Sequence, residues 1–221
     1  EIKINMSNNE QNNFNFSSLE TVSLSEFFGE NSRKNIPRSI REKTLFTVGS
    51  FEDLAEIANL PAGCCLKFLP AFFSALSESE WEKCLPLVGL SLALDLGDCD
   101  IENVCGLEGI TYLNLEDTPV DDLPELRAKF LNLSGTCVFE IPRNLPVEVL
   151  DVSFTPVRKI PNLRNLRTLG SSSIEIEGLQ DMAKFEELVL FGCDPSFDLY
   201  INEFSFLVPN SRARKSKESL F

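Results

Sequence analysis

The chain contains no histidine among its 221 residues. This absence excludes Ser-His-Asp and Cys-His catalysis, and it removes histidine as a zinc ligand. No apolar run approaches the roughly 20 residues that a membrane-spanning helix needs. The N-terminus lacks the basic-then-apolar order of a secretory signal, so we expect none. The sequence therefore predicts a protein that is not an enzyme, has no cofactor, catalytic residue or metal ligand, and does not insert into membranes.

Basic residues are also scarce, because 20 lysines and arginines stand against 34 acidic residues, for a net charge of −14. A field of this sign does not attract phosphates, so we expect no nucleic-acid partner. The charge is uneven along the chain. Residues 95–125 hold ten acidic and no basic residues, whereas residues 127–167 hold seven basic and three acidic ones. This pattern favours an acidic patch that steers a basic partner, or else an ordinary solvated surface.

The seven cysteines are odd in number and form no CxxC pair. With no secretory signal expected, we predict reduced thiols that pack as small apolar side chains. That state fits a cytoplasmic protein or one delivered into a host cytosol.

A repeat of 18 or 19 residues is the strongest pattern in the sequence. Each unit reads apolar-x-x-L-x-L-x-x-T/C-x-V-x-x-L/I, as in "VEVLDVSFTPVRKIP" at 147–161. The leading leucines are Leu94, Leu113, Leu131, Leu150, Leu169 and Leu188. The pattern predicts one short strand per unit, with both L-x-L side chains pointing inward and the residues between them pointing outward. The T/C residue would turn the chain inward and bond to loop backbone groups, and the last two apolar positions would close the core.

The predicted fold is an α/β leucine-rich-repeat solenoid of about six short turns, with a parallel sheet on its concave face. Little helix is expected on the convex side, since units this short leave no room and Pro124, Pro142 and Pro161 favour extended returns. We divide the chain into a mobile segment at 1–18, a helical N-terminal cap at 19–90, repeats at 91–203, and a C-terminal cap with a basic tail at 204–221. Three helices are predicted in the cap: one with Ser50 as N-cap, one in "LPAFFSAL", and one with a capping box of Ser77 and Glu80.

The segment "IPRNLPVEVLDVSFTPVRKIPNLRNLRTL" at 141–169 resembles the short leucine-rich repeats of effectors that Gram-negative pathogens inject into host cells. The resemblance covers roughly residues 50–200 and implies a helical N-terminal cap, a role in virulence and a host protein as partner. The repeats depart from that family in using threonine where many of its members have asparagine. The ubiquitin ligase domain that some of these effectors carry is not in this sequence, so no catalytic cysteine is implied.

The outward strand positions predict a binding face. Strand alternation places an apolar column, formed by Tyr112, Phe130 and Val149, beside a second row of residues that we call the polar ladder. The polar ladder consists of Asp95, Asn114, Asn132 and Asp151. Exposed aromatic side chains on a rigid sheet are typical of binding hot spots, although the cap or cross-strand packing would cover them equally well. The predicted partner-binding residues are Asp95, Tyr112, Asn114, Glu116, Phe130, Asn132, Val149 and Asp151.

Two functions follow from this sequence. The first is a non-enzymatic protein-interaction module, an effector that binds a host protein through the concave face. The alternative is an adaptor of a ubiquitin ligase, in which residues 36–90 form an F-box-like element that docks a ligase scaffold and the repeats receive the substrate.

Overall fold

A computed structural model gives the fold, and it describes residues 16–30 and 36–171 together with three strands at 175–176, 187–190 and 212–215. The predicted mobile residues 1–15, Cys193 and most of the predicted C-terminal cap lie outside these ranges.

The described residues form an α/β fold with a long parallel sheet and few helices. The strands are β1 Glu20–Ser23, β2 Thr44–Val48, β3 Cys65–Phe68, β4 Ala93–Asp95, β5 Tyr112–Asn114, β6 Phe130–Asn132, β7 Val149–Val152, β8 Lys159–Ile160, β9 Thr168–Ser171, β10 Glu175–Ile176, β11 Glu187–Leu190 and β12 Arg212–Lys215. The helices are α1 Leu24–Glu30, α2 Arg38–Arg41, α3 Phe51–Glu56, α4 Pro70–Phe73 and α5 Glu78–Val88, with 3-10 helices at Phe16–Ser18 and Ile57–Asn59.

The main sheet follows chain order, β1-β2-β3-β4-β5-β6-β7-β9-β11-β12, and each strand is parallel to its neighbours. The two short strands β8 and β10 pair with each other in a second sheet. A parallel sheet that adds one strand after another in chain order is compatible with a solenoid.

The leading leucines of the predicted repeat lie in register across the sheet. Leu94, Leu113, Leu131, Leu150, Leu169 and Leu188 are successive Cα partners from β4 to β11. Both L-x-L side chains are buried in each of the first four units, as in Leu113 and Leu115. The predicted inward positions are therefore confirmed for β4 to β7. In β9 the second position is Ser171, which is also buried.

The threonine position bonds the loop backbone as predicted. The hydroxyl of Thr118 donates to the Leu115 carbonyl at 2.8 Å, and Thr136 and Thr155 donate to the Leu133 and Val152 carbonyls at 2.7 Å each. Each bond ties the end of a strand to the loop that follows it. The last two apolar positions are buried as well, at Val120 and Leu123 and at Val138 and Ile141.

The segment at 19–90, predicted to be a helical cap, is only partly helical, because it also supplies β1, β2 and β3 to the main sheet. Phe46 of β2 is the Cα partner of Leu66 in β3, and Leu66 is the partner of Leu94 in β4. These inward residues are separated by 20 and 28 positions, because α3, α4 and α5 are inserted between the strands. The variable spacing, together with phenylalanine in place of leucine, hides the pattern from a search at fixed period.

The helices predicted within this segment are confirmed. Ser50 caps α3 by accepting a hydrogen bond from the Asp53 N–H, and α4 occupies the second predicted position. Ser77 and Glu80 form both bonds of a capping box at the start of α5. Local signals therefore placed these helices correctly, although they did not show that strands lie between them.

The predicted tail at the C-terminus also contains sheet. Arg212–Lys215 forms β12 and pairs in parallel with β11. This part of the predicted basic tail is therefore an edge strand.

A left-handed backbone residue precedes the T/C position in four consecutive units. The four residues are Asp98 at φ 61°, Asp117 at φ 54°, Gly135 at φ 72° and Phe154 at φ 58°. Glycine and aspartate tolerate this region, whereas a bulky aromatic residue does not. Phe154 is therefore strained, and its side chain is 68% exposed.

We expect Phe154→Gly to raise the free energy of unfolding by about 1 kcal/mol, because glycine adopts a positive φ without steric cost. Phe139→Gly is the matched control, since Phe139 is 66% exposed and is not among the residues with positive φ. The control should lower that free energy by about 0.5–1 kcal/mol. Urea unfolding of both variants checks the difference, and equal changes would contradict the assignment of strain.

Asp53 joins the first strands and helices through its carboxylate. It accepts hydrogen bonds from the Ser23 hydroxyl at 2.8 Å, the Ser25 N–H at 2.8 Å and the Gly49 N–H at 2.9 Å. Burial alone would raise the pKa of Asp53, but the bonds from Ser25, Gly49 and Ser23 outweigh it and lower the pKa to about 2. The ionised carboxylate therefore stabilises the folded state.

Asp53→Asn should lower the free energy of unfolding at neutral pH by on the order of 1–3 kcal/mol, because an amide cannot accept all three bonds. Since the folded pKa lies below the unfolded value of about 3.9, this stabilisation is present above about pH 4 and is lost as the pH falls toward 2. In urea titrations, the difference in free energy of unfolding between the wild type and Asp53→Asn should therefore become smaller as the pH falls from about 4 toward 2. Glu52→Gln, an exposed change on the same helix, is the control and should change the free energy of unfolding at neutral pH by less than about 0.5 kcal/mol.

Candidate protein-binding face

The predicted apolar column is partly covered by residues that precede β1. Phe16 and Leu19, like Tyr112, pack against a small buried cluster of Leu45, Cys65 and Ala93. The ring of Phe16 also meets the ring of Phe130 edge to face, with centroids 6.3 Å apart. Phe16–Ser18, which belong to the segment predicted to be mobile, form a 3-10 helix next to the strand face.

The side chains of the polar ladder hold the backbone at the ends of their own strands. In each of four units the ladder oxygen accepts a hydrogen bond from the N–H two residues later. The bonds are Asp95 with Gly97 at 3.0 Å, Asn114 with Glu116 at 3.3 Å, Asn132 with Ser134 at 3.0 Å, and Asp151 with Ser153 at 2.8 Å. Asp and Asn suit this position because their short side chains place an acceptor within reach of that N–H. The ladder is thus part of the architecture as well as of the outward face.

Hydrogen bonds and one ion pair also link these side chains to residues of the neighbouring strands. Asn114 donates its amide to Asp95 Oδ1 at 2.7 Å, and Lys67 Nζ lies 2.8 Å from Asp95 Oδ2. Asn132 donates to Glu116 Oε2 at 3.2 Å. Lys67 comes from β3, so the sequence interpretation, which assigned that region to a helical cap, did not find it.

Asp151 is the residue of the polar ladder whose hydrogen-bonding capacity is least satisfied. Its carboxylate is buried, and neither its Oδ2 nor the buried hydroxyl of Ser153 has a hydrogen-bond partner. Gly170 is its neighbour on β9, where an added Cβ would lie 2.7 Å from Asp151 Oδ1. Burial raises the pKa of Asp151 despite the hydrogen bond that the Ser153 N–H donates to its carboxylate. A negative charge therefore costs stability here, whereas the charge of Asp95 is paired.

Eight of the ten acidic residues at 95–125 are exposed. We call them the acidic surface: Asp98, Asp100, Glu102, Glu116, Asp117, Asp121, Asp122 and Glu125. None of the eight forms an ion pair with the described residues, where the only paired carboxylate of the ten is Asp95. Desolvation, together with the negative charges of Asp117 and Asp151, raises the pKa of Glu116. Like charges thus crowd this surface and favour the approach of a cation.

The predicted site residues divide by exposure. Tyr112, Phe130 and Val149 are neighbours on β5, β6 and β7, as expected, and are partly buried. Glu116 is exposed and Asn114 is partly buried, whereas Asp95, Asn132 and Asp151 are buried. The structure brings all eight residues to one face of β4 to β7 and the strand ends beside it. Their part in binding remains a prediction.

The thiols offer no obvious nucleophile in the interior. The six cysteines in the described ranges are all unpaired, and four of them are buried. Burial raises the pKa of Cys64 and Cys84 to about 11 and that of Cys65 and Cys99 to about 12. These four side chains stay protonated at neutral pH and pack as apolar groups.

No helix in the described part of the chain is long and apolar enough to cross a membrane.

Comparison with known proteins finds no matching family model, and neither a curated protein nor a solved structure matches the chain.

Two substitutions in the polar ladder should have opposite effects on stability. Asp151→Asn should raise the free energy of unfolding at neutral pH by on the order of 1 kcal/mol, because it removes an unpaired buried charge and keeps an acceptor for Ser153. Asp95→Asn should lower it by a similar amount, because it leaves Lys67 without its anion.

The gain from Asp151→Asn should depend on pH. Since the folded pKa of Asp151 is raised, the penalty of ionisation is complete above that pKa and absent below the unfolded value of about 3.9. Thermal unfolding at neutral pH and below about pH 4 measures the change. A gain that persists undiminished in acid would show that charge is not its cause.

Proposed function

We propose that the chain is a leucine-rich-repeat solenoid that acts as a non-enzymatic protein-interaction module and binds a basic surface of a protein partner. The acidic surface supplies the charge, and the partly exposed side chains of Tyr112, Asn114, Phe130 and Val149 continue the contact along the strand face. The bacterial effector role that the sequence resemblance implies belongs to this proposal, and the partner is then a host protein.

The observation that carries the proposal is the acidic surface itself. Eight exposed carboxylates lie within one stretch of 31 residues, and the described residues give them no cation. A surface of this kind raises the rate of association with a basic partner and disfavours acidic ones.

The backbone beneath the acidic surface is held in place, which reduces the entropy lost on binding. Asp98 donates its N–H to the Glu116 carbonyl at 2.8 Å, and Asp117 donates to the Ser134 carbonyl at 2.8 Å. Glu116 is further held by the amide of Asn132. The carboxylates at the strand ends therefore project from fixed positions, as recognition of a defined pattern of cations requires.

The F-box-like adaptor is the less well supported function. Residues 36–90 contain β2 and β3, which pair within the main sheet between β1 and β4. A segment that is built into the middle of a sheet is not a separate helical element of the kind that this alternative expects.

Charge reversal at Glu116→Lys with Asp117→Lys should weaken a partner by roughly tenfold or more and reduce the dependence of its association rate on salt. The control is the same change at Glu78→Lys with Glu82→Lys on α5, where both residues are exposed. Partners captured from host lysate by the wild-type chain are purified and titrated against both variants, with melting temperatures measured in parallel.

Loss of binding confined to the Glu116 and Asp117 variant, with its folding intact, supports the proposal. Equal affinity of both variants for every purified partner would contradict the proposed function.

A further inference from the structure

A second surface lies at the returns between strands. A groove of about 530 Å³ opens between the segment after β6 and the segment around β8. Its lining includes Phe139, Ile141, Arg143, Pro156, Arg158 and Lys159. Its volume lies within the range that is typical of ligand-binding pockets.

The charge of the groove is opposite to that of the acidic surface. Three cationic side chains, those of Arg143, Arg158 and Lys159, line it and all are exposed. Glu140 is the one carboxylate in the lining. The net positive charge of the groove stands out in a chain whose overall charge is −14.

The groove also has an apolar component. Phe139 is 66% exposed, and the exposed side chain of Pro156 adds apolar surface beside it. Phe154, which is two residues before Pro156, is the most exposed of the large hydrophobic residues described, at 68%. Asp98, Asp117 and Gly135 occupy the corresponding left-handed position in the other units, so a smaller residue would suit the backbone there. Exposed apolar side chains of this size are typical of a surface that binds another molecule.

We propose that this groove binds an acidic peptide segment of a protein partner. An apolar side chain of the segment packs against Phe139 and Pro156, and a carboxylate of the segment pairs with Arg158, in a groove whose lining also carries Arg143 and Lys159. Arginine suits this role because its planar fork binds a carboxylate with two parallel hydrogen bonds. The site is separate from the acidic surface, so it does not depend on the function proposed above.

A peptide fits the observations better than a nucleic acid does. The groove combines cations with an apolar wall, whereas a nucleic-acid surface needs cations that track a chain of phosphates. The excess negative charge of the whole chain also repels a polyanion more strongly than a short acidic segment.

The test uses the full chain and a short fluorescent peptide in which glutamates flank a single phenylalanine. Fluorescence anisotropy should show saturable binding that weakens when serine replaces the phenylalanine of the peptide. Arg158→Glu should weaken binding by about tenfold, which corresponds to about 1.4 kcal/mol. Arg164→Glu is the matched control, because Arg164 is exposed, carries the same charge and does not line the groove. Its effect should be less than about twofold.

A second variant separates the apolar component from the charge. Phe139→Ser leaves all three cations in place and should also weaken the peptide, with the melting temperature reporting that the chain still folds. If Arg158→Glu were itself unfolded, Arg158→Gln would replace it in the comparison.

Several results would overturn the proposal. These are no saturable binding, equal loss in the Arg158 and Arg164 variants, or indifference to the phenylalanine of the peptide. Displacement of the peptide by a single-stranded oligonucleotide at equal charge would assign the groove to nucleic acid instead. Self-association of the full chain in analytical ultracentrifugation that Arg158→Glu abolishes would assign it to a second copy.

Discussion

The in-register stacking of buried apolar residues from strand to strand is the constraint on which the rest of the structure depends. Strands β4, β5 and β6 have only three residues each. A strand this short cannot bury its side chains without neighbouring strands on both sides. Leu113 is buried because Leu94 lies on one side of it and Leu131 on the other. A shift by one residue would turn each of these side chains outward and empty the core. Everything else in a unit serves to keep that register.

The polar ladder and the left-handed residues are two features that help to keep this register. The ladder oxygen holds the N–H two positions on, and the left-handed residue after it turns the chain so that the threonine can reach the carbonyl three residues back. Both devices use small polar residues or glycine. Phe154 and Asp151 depart from the rule, one through backbone strain and the other through an unpaired buried oxygen. They lie in the same unit, which stands beside the groove proposed here as a peptide site.

The molecule presents opposite charges on two surfaces. Carboxylates gather on the units of β4 and β5, whereas cations line the groove formed by the two units that follow. A parallel sheet built in chain order converts a charge pattern along the sequence directly into a charge pattern along the surface. The uneven distribution that is visible in the sequence between residues 95 and 167 therefore survives folding, apart from Asp95 and Asp151, which are buried.

The sequence by itself determined the features that depend on local or strictly periodic signals. These are the strands that begin at Ala93, the inward leucines, the bond made by each threonine, and the caps at Ser50 and Ser77. Only the tertiary structure decided that β1, β2 and β3 extend the sheet, that Lys67 pairs with Asp95, and that Phe16 covers part of the apolar column. The groove at Phe139 and Arg158 likewise needs two units side by side. A period can be read from the chain because each unit repeats the same burial, whereas a contact between residues at irregular separations leaves no pattern until the chain has folded.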